Sequence, residues 1–580
     1  FEVPVEGNRY DLIIGNPPWV SRRGDQINAE LWCKENKCEM PAKEVSWGFA
    51  WKALHHSDQN GVIALLLKAT SFITSQSSTI VKARKKWMET ILLKRVINFA
   101  DTRFQLFDGG DAPTALMIYK SKNNENQNYI FDYWVPKADL NLKSRRLMTL
   151  SRVDQAKLPI AHVLEDQLLM KRRMWMQTPD AKLFQYLSGF PKISEKVVTH
   201  QSLGKKSPPK NKWVIGQGFN PAQEHRLGEA SYKTVVSEIV STIPHLEMKE
   251  YSPLAMPSIV NEGWHTKTVY RKNFEGGYSG PHILIPQGIK RSTGRLRASY
   301  CAQDLSFRTS IQSISFKKSS ENEAKFLTLF LNSSLAAWLL FHNSSVAGME
   351  RDKVPQQEVL ELPFPSVTSM NNSEKAQSAF EDAVSLIDAI IENKDNLLQS
   401  RMSEYLSDID NIIYRYFDLN KADIILIEDT LHHIIPSMQP HVRSKKAPSL
   451  WADTKEEDWE YYSKCLTFSL DSWLEKPFRA TSNLVGVSAD LVVIGVHLTD
   501  DPDKPSFLKN KKQSSSDILS QIWRSLPKEM PGNFQMIPDL RIFIDDVLYI
   551  VKPRKKRFWL GAAALADADA IASDLLSQKG

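Results

Sequence analysis

The sequence predicts an α/β fold at the start of this chain, on three observations. Short apolar runs alternate with helical stretches between Asp11 and Lys120. The first run ends on a pair of prolines, so its strand must leave a sheet there. Beyond residue 185 the same apolar content is broken by Pro, Gly and Ser, so a differently built region follows.

The elements follow in order. Asp11-Leu-Ile-Ile-Gly15 reads as a buried strand ending at a turn. Trp47 to His55 has helical apolar spacing, with Asn60-Gly61 as its stop. Gly61-Val-Ile-Ala-Leu-Leu-Leu67 is a second buried strand, and a basic amphipathic helix runs on through Trp87 and Met88. Arg95-Val-Ile-Asn-Phe99 and Thr114-Ala-Leu-Met-Ile-Tyr119 are two more strands. Strands alternating with helices require a parallel or mixed sheet.

Four domains are expected: an α/β domain over 1–150, a mixed α+β domain over 185–370 with one strong helix from Glu321 to Phe341, a helical segment over 373–435, and a small α/β domain over 450–580. In the helical segment Ala383, Leu386, Ile387, Ile390 and Ile391 keep a 3.6-residue period. Pro436 to Ser449 reads as a linker.

Composition excludes several classes. At 580 residues, 42% hydrophobic and 24% charged, the chain is neither disordered nor fibrous. Its 4 cysteines are too few for a disulfide framework, so a reducing cytoplasm is expected. The apolar stretch Phe326 to His342, broken by Asn332, Ser333 and Ser334, reads as a buried helix. The chain opens Phe-Glu-Val-Pro rather than with Met, and a missing true start is expected. A net charge of +7 favours an anionic partner.

One motif carries chemistry: Asn16-Pro17-Pro18-Trp19, at the end of Leu12-Ile13-Ile14. Two prolines cannot continue a ladder, so the chain exits at the carboxyl edge, where open α/β sheets hold ligands. The turn offers an amide side chain, a backbone carbonyl and an indole. Asn16 Oδ1 and the Pro17 carbonyl can accept both hydrogens of an exocyclic amine, while Trp19 stacks on a flipped base.

Asp11-Leu-Ile-Ile-Gly-Asn-Pro-Pro-Trp19 resembles the catalytic motif of the N6-adenine DNA methyltransferases, in the gamma class of type IIG-like restriction–modification methylases. Trp47-Gly-Phe-Ala-Trp51, Asn60-Gly61 and the strand after it resemble the family's next helix and strand, and Arg95 to Lys120 its closing hairpin. The resemblance implies a partial class I methyltransferase sheet over 1–150, S-adenosylmethionine as methyl donor, and double-stranded DNA as partner. It assigns Asn16, Pro17, Pro18 and Trp19 to the catalytic turn. Trp19 and Phe107 would sandwich the target base, with Phe104 as the spare. Phe326 to Ser334 and Leu362-Pro-Phe-Pro365 resemble the family's target-recognition domain, and Ile409 to Phe417 its helical tail.

One departure stands out. The family's glycine-rich cofactor turn precedes the Asn-Pro-Pro turn, yet only fifteen residues precede Asn16 here. Phe274-Glu-Gly-Gly-Tyr-Ser-Gly280 is glycine-rich, but no buried strand feeds it and Pro281 follows it, so it reads as a loop. The cofactor site is therefore expected outside this chain, which is either a fragment or one subunit completed by an upstream polypeptide.

Two basic loops are the DNA-binding candidates: Lys205, Lys206, Lys210 and Lys212, and Lys290, Arg291, Arg295 and Arg297. Such side chains hold phosphates and read guanine edges. Lys552 to Arg557 is basic too but reads as a solvated turn beside a strand.

No metal is expected: Cys33 and Cys38 lack a second pair, and His55-His56 and His432-His433 are adjacent residues, a poor spacing for one ion. Asp539, Asp545 and Asp546 only faintly resemble a nuclease core, since Ile550 stands where an acid is needed before Lys552. The leading expectation is site-specific adenine N6 methylation of DNA in a restriction–modification or phage-defence system. The alternative is a catalytically silent DNA-recognition subunit. Methylation of RNA or of protein glutamine is disfavoured by the region resembling a DNA-recognition domain.

Overall fold

The computed structural model describes residues 9–21, 27–107, 112–122, 128–204, 207, 209, 211–229, 231–290, 292–350, 352–392, 401–439, 448–509, 517, 520–522, 524 and 540–577. Two compact units emerge, Phe1–Ala181 with Pro436–Gly580, and Lys182–Ile435.

The first unit is built on six strands: β1 Tyr10–Gly15, β2 Ser57–Lys68, β3 Ile91–Asn98, β4 Thr114–Ser121, β5 Ile130–Trp134 and β6 Gln155–Pro159, in the order β1-β2-β4-β3-β5-β6. β1 and β2 are parallel, and β4 runs against both β2 and β3. The carboxyl ends of β1, β2 and β3 therefore share one edge, the edge where the loop into β4 also arrives. The sheet is mixed, as the alternation of strands and helices predicts.

Helices α1 Asn28–Glu35, α2 Val45–His56 and α3 Ser78–Thr90 accompany it. Their core is aromatic. Trp47 stacks on Phe72 at 3.9 Å between centroids, and Trp87 sets its edge against Trp47, Phe72 and Tyr119. All four rings are fully buried. Burying a large apolar side chain contributes about 1.5–3 kcal/mol, so this cluster anchors α2 and α3 to the sheet.

Two local readings are corrected. The run Leu12-Ile13-Ile14 is a strand but not a buried one: Leu12 is 58% and Ile14 74% exposed, and among the described residues β1 stands at the sheet's edge and pairs only with β2. Asn60-Gly61 does not stop α2, which already ends at His56. It lies inside β2, where pairing jumps from Tyr10↔Ser57 to Leu12↔Val62 and the extra residues bulge. Only glycine fits there: a Cβ at Gly61 would lie 2.5 Å from Ser57 Oγ and 2.6 Å from the Tyr10 carbonyl oxygen.

The C-terminal segment of this unit carries a five-stranded sheet in the order Phe507–Leu508, Arg479–Val487, Leu491–Thr499, Val547–Pro553, Leu540–Ile544. Helices Glu456–Asp471 and Gly561–Ser577 pack beside each other. Lys552 to Arg557 is not a solvated turn. Lys552 is 3% exposed and paired with Asp567, and Arg557 reaches Asp154 at 2.6 Å with both side chains buried. A buried cation must find a carboxylate, and these two did.

In the second unit a six-stranded sheet runs Leu254–Ala255, Ser299–Cys301, His282–Pro286, Ile311–Ser315, Trp213–Gln217, Val197–Thr199. The single helix expected from Glu321 to Phe341 is two helices, Glu321–Asn332 and Ser334–Asn343, bent by 63°. Ser333 makes the break: its backbone turns extended and its side chain accepts from the Ala336 amide. Asp410 completes it, accepting from the Ser334 amide at 2.6 Å and from its hydroxyl at 2.7 Å. Among the described residues no single helix is long and apolar enough to cross a membrane. The predicted helical stretch resolves into Ser373–Glu392, Met402–Tyr416 and Lys421–Asp429, with Ala383, Ile387 and Ile390 buried.

Candidate active site and nucleic-acid contacts

Residues from three segments meet at the carboxyl edge of the first sheet. β1 ends at Gly15, and Asn16 and Pro18 stand exposed while Pro17 is buried. Pro17 fixes the exit direction and Asn16 is left facing solvent at the strand end. Trp19 turns back: its Nε1 donates to the Leu66 carbonyl of β2 at 3.1 Å. That bond aims the indole and holds the turn against the neighbouring strand.

Phe107 comes from the loop between β3 and β4. Its ring meets Trp19 edge-to-face, with centroids 6.2 Å apart and planes 70° apart. It is 36% exposed. Trp19 and Phe107 are thus brought together. Phe104, the spare, instead lies under the Arg103 guanidinium at 4.2 Å. In this arrangement the two rings do not present parallel faces to one another.

The loop carrying Phe107 is braced at its root. Asp101 accepts from the Ala138 amide and from the Gln439 amide, each at 2.9 Å. Burial pushes its carboxyl above the ordinary range, against those two hydrogen bonds and the charges of Lys137 and Arg557. Nearby, burial lowers the Lys137 ammonium to about 8, although Asp154 lies 3.6 Å away and the ammonium sits over the Trp175 ring at 4.5 Å. The start of the C-terminal segment therefore touches the root of the loop that carries Phe107.

After β2 the chain makes a buried π-helical turn, Thr70–Thr74. Arg84 holds it from α3, donating to the carbonyls of Ser71 and Ser75 at 3.4 and 3.1 Å and to Gln167 at 2.9 Å. Burial lowers that guanidinium to about 10. Glu44 holds the turn from the other side, accepting from the Ser46 hydroxyl at 2.8 Å and from the Ser71 hydroxyl. Sequence reasoning missed Glu44, Asp101 and Arg84, because the fold alone brings Glu44 to Ser71, Arg84 to Gln167 and Asp101 to Gln439.

The glycine-rich stretch 274–280 gives no nucleotide-binding turn. Phe274 fills the space beside Gly216, and a side chain at Gly277 would collide with Ser313, so these glycines admit packing within the second unit. Among the described residues no strand–glycine turn–helix of the kind that admits S-adenosylmethionine is present. The same residues gather no group of three or more His, Cys, Asp or Glu as a metal site.

The basic-loop candidates divide. Lys205, Lys206, Lys210 and Arg291 lie outside the described residues. Lys212 donates to the Glu195 carbonyl and Lys290 is exposed. Arg295 is committed inward: it forms a two-pronged pair with Asp410 at 2.6 and 3.1 Å and also bonds the Asn332 carbonyl at 2.8 Å. With its side chain 12% exposed, it braces the helix break rather than facing a phosphate. Arg297 is half-buried, its Nε buried without a hydrogen-bond partner.

Residues 1–107 match the Eco57I restriction-modification methylase family. The match spans β1 with its Asn-Pro-Pro-Trp turn, β2, β3 and the loop reaching Phe107. No curated protein matches the chain. Among solved structures it is similar to the type IIL restriction-modification enzyme MmeI in complex with DNA, at 10% identity and TM-score 0.41 over 74% of this chain and 57% of that one. It is similar to the type IIG restriction endonuclease BpuSI at 10% identity and TM-score 0.27, over 70% and 54%. The type I restriction enzyme EcoKI M protein aligns at 11% identity and TM-score 0.20, over 69% and 53%. The chain thus spans a little over half the length of these proteins. At such scores the alignments do not transfer elements or residues, and the methylase match rests on the N-terminal segment.

Proposed function

We propose that this chain is the base-presenting and DNA-recognition part of a site-specific adenine N6 methyltransferase of a restriction–modification or phage-defence system. The observation that carries the reading is the Asn16-Pro17-Pro18-Trp19 turn at the carboxyl end of β1, with Trp19 tied to β2 and Phe107 beside it. Asn16 Oδ1 and the Pro17 carbonyl accept the two hydrogens of the target amine. Trp19, with Phe107 rotated away from its edge, stacks on the flipped ring. A positioned pair of acceptors serves mainly the transition state, in which the amine nitrogen becomes tetrahedral.

S-adenosylmethionine is the methyl donor in this reading, held outside this chain. An upstream polypeptide would supply its site. This chain's share is to hold DNA, draw out the base and orient its amine. Lys212 and Lys290, with Lys205, Lys206, Lys210, Arg291 and Arg297, would meet phosphates from the second unit.

The second reading is a silent recognition subunit, favoured by the edge contact that closes the gap between Trp19 and Phe107. Methyl incorporation separates the two. The complete gene product, or this chain with the upstream polypeptide, is incubated with tritiated S-adenosylmethionine and unmethylated phage DNA. Label recovered in N6-methyladenine supports the enzyme. Tight DNA binding with no label refutes it.

A further inference from the structure

Glu44 is a carboxylate buried to 4% exposure that the proposed chemistry does not use. A charged group in such a place requires partners, and its partners come from the chain leaving β1, from α2 and from the turn leaving β2. Its backbone bridges Ser21, two residues beyond Trp19, and the next amide, that of Val45, donates to the Val20 carbonyl at 3.1 Å. Its side chain accepts from Ser46 in the first turn of α2, and from Ser71 in the π-turn that follows β2.

The backbone leading to Glu44 is strained. Ala42 and Lys43 both hold positive φ, 54° and 51°, a left-handed conformation unfavourable for side chains with a Cβ. Two consecutive residues stay there only when the surroundings over-determine them, and such outliers cluster at functional sites. The outcome of the strain is Glu44 placed with its carboxylate between two serines that are themselves buried.

We propose that Glu44 is a positioning residue for the Asn-Pro-Pro-Trp turn, fastening the chain that leaves β1 to the turn that leaves β2. This rests on the methyltransferase reading for its consequence, but not for its geometry. Glu44 contacts no substrate. It sets where residues 16–21 lie relative to the Leu66 carbonyl, and so where Asn16 and the Pro17 carbonyl meet the amine. A small displacement of reacting groups lowers the rate without weakening binding of the rest of the substrate.

The test uses the complete gene product with Glu44→Ala, Glu44→Gln and Ser71→Ala. Two readouts are taken: hydrogen exchange by mass spectrometry over peptides covering 16–21, 70–74 and 114–121, and methyl transfer to unmethylated phage DNA. Glu44→Ala is expected to speed exchange at least tenfold in the first two peptides and to leave the third within twofold. It should lower kcat 10- to 100-fold with KM for DNA within threefold. Glu44→Gln keeps two hydrogen-bonding atoms that the serine hydroxyls can satisfy by rotating, so it should stay within fivefold of wild type on both readouts. Unchanged exchange in 16–21 for a folded Glu44→Ala protein overturns the proposal, as does a drop expressed in KM alone. If Glu44→Ala does not fold, Ser71→Ala decides: faster exchange in 16–21 supports the link, and wild-type exchange refutes it. A wild-type protein that transfers no methyl group sinks the methyltransferase reading alone, because the exchange readout still tests the link.

Discussion

Replacing Arg557 with Met should destabilise the first unit by about 3 kcal/mol. Arg557 donates to both oxygens of Asp154, at 2.6 and 3.2 Å, with the two side chains 7% and 1% exposed. Removing one partner of a buried pair costs about 3–5 kcal/mol, since the other charge stays buried without compensation. Lys137, 3.6 Å from Asp154, supplies partial compensation, which places the cost at the lower end. The assay is urea unfolding followed by fluorescence, comparing midpoints at equal slope. Arg557→Lys should recover about half the loss, because it restores a charge but not the two-pronged geometry.

Burial alone would raise the Asp154 carboxyl, but the charges of Arg557 and Lys137 outweigh it and hold the group below its ordinary 3.8. A depressed carboxylate contributes stability that is complete above its unfolded value and is lost as pH falls through its folded one. The cost of Arg557→Met should therefore be full at pH 7 and shrink below about pH 4. Lys137 works in the other direction: lowered from 10.5 to about 8, it makes the wild type gain stability as pH rises from 8 towards 10.5. An Arg557→Met protein within about 0.5 kcal/mol of wild-type stability at pH 7, the size of an ordinary surface substitution, would show that the pair does not carry this energy.

Four further outcomes follow from the proposed site. Asn16→Ala should abolish methyl transfer while DNA affinity stays within a few-fold in a filter-binding titration, and near-normal transfer would sink the mechanism. Trp19→Ala should weaken base capture by about 1–3 kcal/mol, the scale of aromatic–base stacking, read from the fluorescence of a 2-aminopurine target. Lys290→Ala should lower the slope of log K against log salt by about one unit without changing site choice, and an unchanged slope removes Lys290 from the interface. The chain alone should bind S-adenosylmethionine weakly or not at all by calorimetry, and micromolar binding would mean that a cofactor site within it was overlooked.

How much of this was legible in the sequence depends on how far apart the cooperating residues stand. The four strands predicted before residue 120 are present, because apolar runs bounded by turn residues are local signals. The exposure of Leu12 and Ile14 was not legible, since an apolar strand reads alike at the centre of a sheet and at its edge. The helix break at Ser333 depends on Asp410, and Arg295 looked free to meet DNA until the same Asp410 claimed it. Arg557 read as a solvated cation because Asp154, its partner, lies 403 residues earlier in the chain. The Asn16-Pro17-Pro18-Trp19 turn was legible for the opposite reason: its amide, its carbonyl and its indole come from consecutive residues, so what it offers is written in four adjacent positions. What fastens that turn is dispersed over Glu44, Leu66 and Ser71, and Asp101, at the root of the Phe107 loop, bonds a residue 338 positions away. A site of this kind announces its chemistry locally and hides its scaffold. The residues most open to discovery by structure are therefore those that position the motif, and Glu44 has the most direct claim because its main chain and its carboxylate fasten different segments of the same edge.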